Sequence, residues 1–170
     1  RILKSNGVRE YLQACKIVKE KYPQVRFMLL GKYETNMQDA IEKDFVEPYV
    51  QQGIVERFNE TDDVISFYKQ CSVYVLSSYR EGKPRSVLEA MAMARPIITT
   101  DANGCKDTVR EGKTGFIVPR YNVEELAKAM EFFIENPDKI TEMGKASREF
   151  CEEIFDVPKV NADMIRFLEI

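Results

Sequence analysis

Apolar residues at Val8, Leu12, Cys15, Val18 and Tyr22 recur with a helical period and predict a helix over residues 8–22. The pattern then changes. Val25-Arg26-Phe27-Met28-Leu29-Leu30 is a short apolar run closed by Gly31, which predicts a strand. A mixed helical pattern over residues 36–52 and a short strand over 53–58 follow. Thr61 suits the N-cap of a helix over 62–70, whose first turn is acidic. Val73-Tyr74-Val75-Leu76 is rich in β-branched and aromatic residues and predicts a buried strand. Residues 87–94 are apolar apart from Glu89 and contain neither Gly nor Pro, which predicts a helix. Residues 95–100 return as a strand, with Pro96 near its start where no ladder donor is needed.

Asp101-Ala102-Asn103-Gly104 reads as a turn, 105–111 as a short helix, and 113–119 as a hairpin turn with a last strand. Asn122 and Glu125 have capping-box spacing, and Leu126, Ala129, Met130 and Phe133 carry a helical period over 122–136. Pro137 breaks that helix, 138–155 forms another, and Pro158 opens a closing helix over about 158–170 that carries Ile165, Phe167 and Leu168. Strands alternating with helices imply an α/β fold: a Rossmann-like, doubly wound parallel sheet with helices on both faces.

Composition narrows the picture. A length of 170 residues suits a single domain, 1–170, with a substantial core. No run is long enough to span a membrane, and no signal-peptide pattern is present. A net charge of −3 argues against a nucleic-acid partner, which calls for a basic face. Cys15, Cys71, Cys105 and Cys151 are scattered, as reduced thiols are, rather than paired as metal or disulfide ligands. The chain has no His, so the commonest general base and the commonest metal ligand are both missing, and no metal is expected.

Candidate chemistry concentrates between the strand at 73–76 and the helix at 87–94. Pro84 suits a first helical turn, and the free amides of Arg85 and Ser86 would favour an anion beyond the strand's carboxyl end. Arg85, Ser86 and Glu89 share one stripe at helical spacing. One reading of the stripe is a solvated face with an Arg85–Glu89 ion pair. The other is a polar wall facing a phosphate-bearing ligand, with a carboxylate accepting from sugar hydroxyls. Met93, next on the stripe, favours the second.

Glu81-Gly82-x-Pro84-Arg85-Ser86-Val87-Leu88-Glu89-Ala90-Met91-Ala92-x-x-Arg95-Pro96-Ile97-Ile98-Thr99-Thr100 resembles the signature of retaining glycosyltransferases of family 4, with its two glutamates separated by seven residues. The likeness is strongest to the branch that builds bacterial capsule, O-antigen and other surface polysaccharides, and it covers residues 1 to about 133. It implies the GT-B architecture, two Rossmann-like domains facing a cleft, of which this chain resembles the second, donor-binding half.

The resemblance also implies an activity of hexosyltransferase type. The donor would be a nucleotide-diphosphate sugar, UDP-linked, and the acceptor a glycan or lipid-linked sugar bound through an N-terminal domain. Glu81 would contact the transferred sugar and Arg1 would neutralise the leaving diphosphate. Glu89 would accept from the ribose, and Gly82, Arg85 and Ser86 would hold the diphosphate. Gly31 would edge the nucleotide pocket and Asn59 would lie near the base. Relatives carry a Lys where this chain has Asn6; Lys4 is a candidate to replace it, or else a surface lysine. Relatives also carry Gly in place of Ala94 and often Pro in place of Asn103. The implied location is cytoplasmic, with peripheral association of the full-length enzyme at the inner face of the plasma membrane. The donor half alone is expected to be inactive. Three alternatives remain: a sugar-nucleotide epimerase, a nucleotide-sugar-binding module without catalysis, and a glycoside hydrolase with its carboxyls about 5–9.5 Å apart.

Overall fold

Five short strands form the frame: β1 (Met28–Leu30), β2 (Glu56–Phe58), β3 (Tyr74–Leu76), β4 (Ile97–Thr100) and β5 (Gly115–Val118). The computed structural model describes residues 1–168. Every ladder is parallel, and the strands pair in two groups, β1–β2 and β3–β4–β5. The strands start later than the apolar runs suggest. The Val25 amide closes a turn onto the Tyr22 carbonyl, and Pro96 has no amide to give to a ladder. Residues 113–119 do not form a hairpin. The Lys113 and Thr114 amides both donate to the Arg110 carbonyl, and β5 leaves that turn parallel to β4.

Seven α-helices are described: α1 (Val8–Lys21), α2 (Lys43–Gln51), α3 (Val64–Gln70), α4 (Arg85–Ala92), α5 (Val123–Glu135), α6 (Pro137–Ile154) and α7 (Val157–Phe167). Adjacent residues of a strand point to opposite faces. Ile98 of β4 joins a buried cluster with Leu12 and Val18 of α1 and Leu126 and Phe133 of α5. Its neighbour Ile97 joins another with Val87 and Met91 of α4 and Phe150 of α6. The β3–β4–β5 sheet is thus covered on both faces, as the alternation of elements predicts.

Several local expectations are corrected. Residues 36–42 are not helical, because the Asp39 carboxylate binds the Ser5 amide and Leu3 pairs with Ala40, which pins the segment as a loop. The N-cap of α3 is Asp63, not Thr61. Its carboxylate accepts from the Ser66 amide at 3.2 Å, while the Thr61 hydroxyl accepts from the Asp63 amide one step earlier. The expected helix at 105–111 is a single 3-10 turn, Lys106–Thr108; the Thr108 hydroxyl donates to the Cys105 carbonyl and competes with a continuing helix. Asn122 does cap α5, but Glu125 pairs with Lys128 instead of returning to the Asn122 amide. Helix α7 exposes Ile165 and Phe167, and Leu168 just beyond it is exposed too; the expected helical end at 169–170 lies outside the described residues. Among the described residues no helix is long and apolar enough to cross a membrane.

Candidate functional site

Strand β3 runs into two buried serines that organise the loop beyond it. The Ser77 hydroxyl donates to the carbonyls of Asn6 and Gly7, at 3.1 and 2.7 Å. Gly7 takes φ 64°, and a β-carbon there would stand 2.0 Å from the Ser77 carbonyl oxygen, so only glycine allows this approach. The Tyr79 amide donates to the Ser5 carbonyl, and the Tyr79 hydroxyl binds Glu10 of α1. The start of the chain is therefore laced onto the loop that carries Glu81.

Each candidate carboxylate is held by a hydroxyl. Ser78, wholly buried, donates to Glu81 Oε1 at 2.9 Å, and its own carbonyl accepts from Thr100 at the end of β4. Tyr68 of α3 lies 3.0 Å from Glu89 Oε2 and 3.1 Å from the Ser86 carbonyl. Burial raises the Tyr68 phenol well above its ordinary range, with the neighbouring Tyr74 and Glu89 adding to the effect, so Tyr68 is a donor at any physiological pH. The Arg85–Glu89 ion pair of the solvated-face reading does not form among the described residues; Glu89 is bonded to Tyr68 instead.

Pro84 stands one place outside α4, as its N-cap rather than within its first turn. Its carbonyl accepts from the amides of Val87 and Leu88. The Arg85 and Ser86 amides lie in the turn where a helix has no carbonyl of its own to meet them. Gly82 is pressed against the turn at Gly104. Gly31 and Asn59 follow the paired ladder positions Leu30 and Phe58, so they emerge side by side at adjacent strand ends. Arg57 spans this corner, donating to the Gly31 carbonyl at 3.1 Å and stacking on Tyr33.

The two remaining cations are placed differently from one another. Arg1 is exposed, next to Gly31, with its guanidinium 3.9 Å from Met37 Sδ. Lys4 lies in a 3-10 turn, Lys4–Asn6, with Nζ 2.7 Å from Glu42, which Arg9 also binds. The hydrogen bond from Lys4 is the main reason the Glu42 carboxyl falls to about 2. The structure thus gathers Glu81, Gly82, Arg85, Ser86 and Glu89 around the start of α4, sets Gly31 and Asn59 at neighbouring strand ends, and turns Lys4 toward Glu42. A shallow apolar concavity on α7, lined by Val160, Asp163, Met164, Phe167 and Leu168, includes none of them.

Sequence reasoning did not single out Tyr68, Ser78, Tyr79 or Gly104 as parts of the site. Ser78 and Gly104 sit beside recognisable turn signals. Tyr68 had no local signal, since it meets Glu89 only once its ring has packed into the cluster with Val87 and Met91 of α4.

The model of a family described as glycosyl transferases group 1 matches residues 1–150. The capsular polysaccharide biosynthesis glycosyltransferase CapM of Staphylococcus aureus is 32% identical over 155 residues, covering 91% of this chain and 40% of CapM. Among solved structures, HepE of Anabaena in complex with UDP superposes with a TM-score of 0.88 at 22% identity, covering 99% of this chain and 46% of that one. The C-terminal domain of the group 1 glycosyltransferase LpcC of Francisella tularensis gives 0.81 at 19% identity, covering 92% of this chain and 83% of that domain. At those identities the solved structures show the fold, which is that of a GT-B half. The chain spans less than half the length of CapM and of HepE. A matching family model over residues 1–150 establishes that the chain belongs to the group 1 glycosyl transferases.

Proposed function

We propose that this chain is the donor-binding half of a retaining, family 4 glycosyltransferase of hexosyltransferase type. It would take a sugar from a UDP-linked donor and deliver it to a glycan or lipid-linked acceptor in surface polysaccharide synthesis. One observation carries the reading: two carboxylates flank the open first turn of α4, each fixed by a buried or half-buried hydroxyl. An anion on that turn meets the Arg85 and Ser86 amides and the positive end of the helix. Glu89, inside the helix, accepts from the ribose. Glu81, in the loop, contacts the sugar being transferred. Gly82 lets the loop backbone approach the donor, while Gly31 and Asn59 border the base.

When the sugar–phosphate bond breaks, negative charge grows on the diphosphate. Fixed amides and a nearby cation stabilise such charge without reorganising. Arg1 is the proposed cation, being exposed and next to Gly31, whereas Lys4 is already neutralised by Glu42. HepE was solved with UDP bound, which supports UDP as the nucleotide. The acceptor site and the remaining catalytic groups are assigned to the part of a GT-B enzyme that this chain does not resemble. The chain alone is therefore expected to bind donor without transferring it. A cytoplasmic location, with the whole enzyme at the membrane's inner face, fits a soluble donor and a lipid-linked acceptor.

A thermal-shift panel of UDP, GDP, ADP and their sugars tests the reading. UDP at 100 times its dissociation constant should stabilise the fold by about 2.7 kcal/mol. A folded sample that no nucleotide shifts at millimolar concentration would overturn the donor-site assignment.

A further inference from the structure

Tyr68 and Glu89 are 21 residues apart, on different helices, yet the phenol lies 3.0 Å from Glu89 Oε2. The Tyr68 residue is only 8% exposed, and its ring lies 5.7 Å from that of Tyr74 in the cluster that also holds Val87 and Met91 of α4. The ring is thus immobilised against the helix that carries Glu89. The same hydroxyl lies 3.1 Å from the Ser86 carbonyl, in the first turn of α4. A phenol has one proton, and a carboxylate is the stronger of these two acceptors. Among the described residues Glu89 Oε1 has no hydrogen-bond partner, so one carboxylate oxygen is anchored and the other is open.

An unanchored glutamate on a helix surface samples several rotamers and loses that freedom on binding. Tyr68 removes the freedom beforehand. With its ring lodged in the cluster of Val87 and Met91, the phenol holds the carboxylate beside the open first turn of α4. We infer that Tyr68 is the positioning residue for Glu89, holding the carboxylate so that its open oxygen meets the ribose diol of a nucleotide seated on that turn. Selection of ribose over deoxyribose then depends on a residue that does not touch the nucleotide. This rests on the proposed role of Glu89.

The test compares UDP with 2′,3′-dideoxy-UDP by isothermal titration calorimetry on the full 170-residue chain, with thermal melts as a control. The wild-type chain should prefer UDP about ten- to hundredfold, the worth of a hydrogen bond to a charged group. Tyr68→Phe should weaken UDP about five- to tenfold and leave dideoxy-UDP unchanged, as expected when ordering cost is returned to binding. In a Glu89→Gln background Tyr68→Phe should have no further effect. If Tyr68→Phe weakens both nucleotides equally, or keeps the full preference, the positioning role is overturned while that of Glu89 stands. If the wild type shows no preference, the Glu89–ribose reading falls and this inference falls with it. Should Tyr68→Phe fail to fold, Glu89→Asp carries the test. Its carboxylate is one methylene short of the hydroxyl, so it should lose the preference for UDP over dideoxy-UDP, and an intact preference would overturn the proposal.

Discussion

Gly104 lies so close to Gly82 that a β-carbon on it would stand 1.7 Å from the Gly82 carbonyl oxygen. Gly104 also takes φ 80°. The turn after β4 and the loop carrying Glu81 are therefore in backbone contact, and the first sets the height of the second. Gly53 supplies the control, since it takes φ 67° but has nothing within 4 Å of the same position. Gly53→Ala should cost about 1 kcal/mol from conformation alone. Gly104→Ala should cost roughly 2–4 kcal/mol, because the loop must also move. Chemical denaturation measures both, and equal losses would show that the contact with Gly82 is unimportant.

The two carboxylates should separate by ligand. Glu89→Ala is expected to weaken UDP about ten- to hundredfold with little change in melting temperature. Glu81→Ala should leave UDP binding intact and weaken only the UDP-sugar. Titrations of both ligands against both variants check this, and unchanged UDP affinity in Glu89→Ala would return the stripe on α4 to a solvated face.

The Lys4–Glu42 pair makes a pH prediction. Contact with Lys4 holds the Glu42 carboxyl at about 2 against an ordinary 4.5. A carboxyl depressed in the folded state binds fewer protons there than when unfolded, so its contribution is whole above about pH 4.5 and is lost as pH falls through about 2. Glu42→Gln should flatten that part of the acid limb of stability. Lys4→Ala should flatten it in part, since Arg9 still binds Glu42, and should leave UDP affinity unchanged. If Lys4 instead serves the diphosphate, Lys4→Ala will weaken UDP and spare the acid limb.

Ala94 follows α4 in the left-handed region, at φ 55°. Its carbonyl is packed against Gly144 of α6, so the strain cannot relax by moving the turn. Ala94→Gly relieves the β-carbon clash and gives back part of the gain through a more flexible unfolded chain. A net stabilisation of about 0.5–1 kcal/mol is expected, with no change in nucleotide affinity. A lower melting temperature for Ala94→Gly would show that the alanine methyl packs usefully.

The amino-acid sequence by itself determined what depends on neighbours a few residues away. The period of Val8, Leu12, Cys15 and Val18 placed α1, the Asn122 cap placed α5, and the apolar run ending at Leu76 followed by Pro84 placed β3, its loop and α4. Alternation of strand and helix was enough for a parallel α/β fold, because a parallel partner demands a crossover. Elements whose partners lie far along the chain could not be read this way. Residues 36–42 carry a helical pattern, but Ser5 and Leu3 compete for their polar groups. Residues 113–119 look like a hairpin turn and strand until β4 takes β5 as a parallel neighbour. The site divides along the same line. Glu81 and Glu89 could be named as candidates from the sequence, through the polar stripe on α4 and the resemblance to a family signature. The hydroxyls bonded to them, the glycine packed against their loop and the glutamate that holds Lys4 could not, because each makes a contact that exists only once helices and strands have packed.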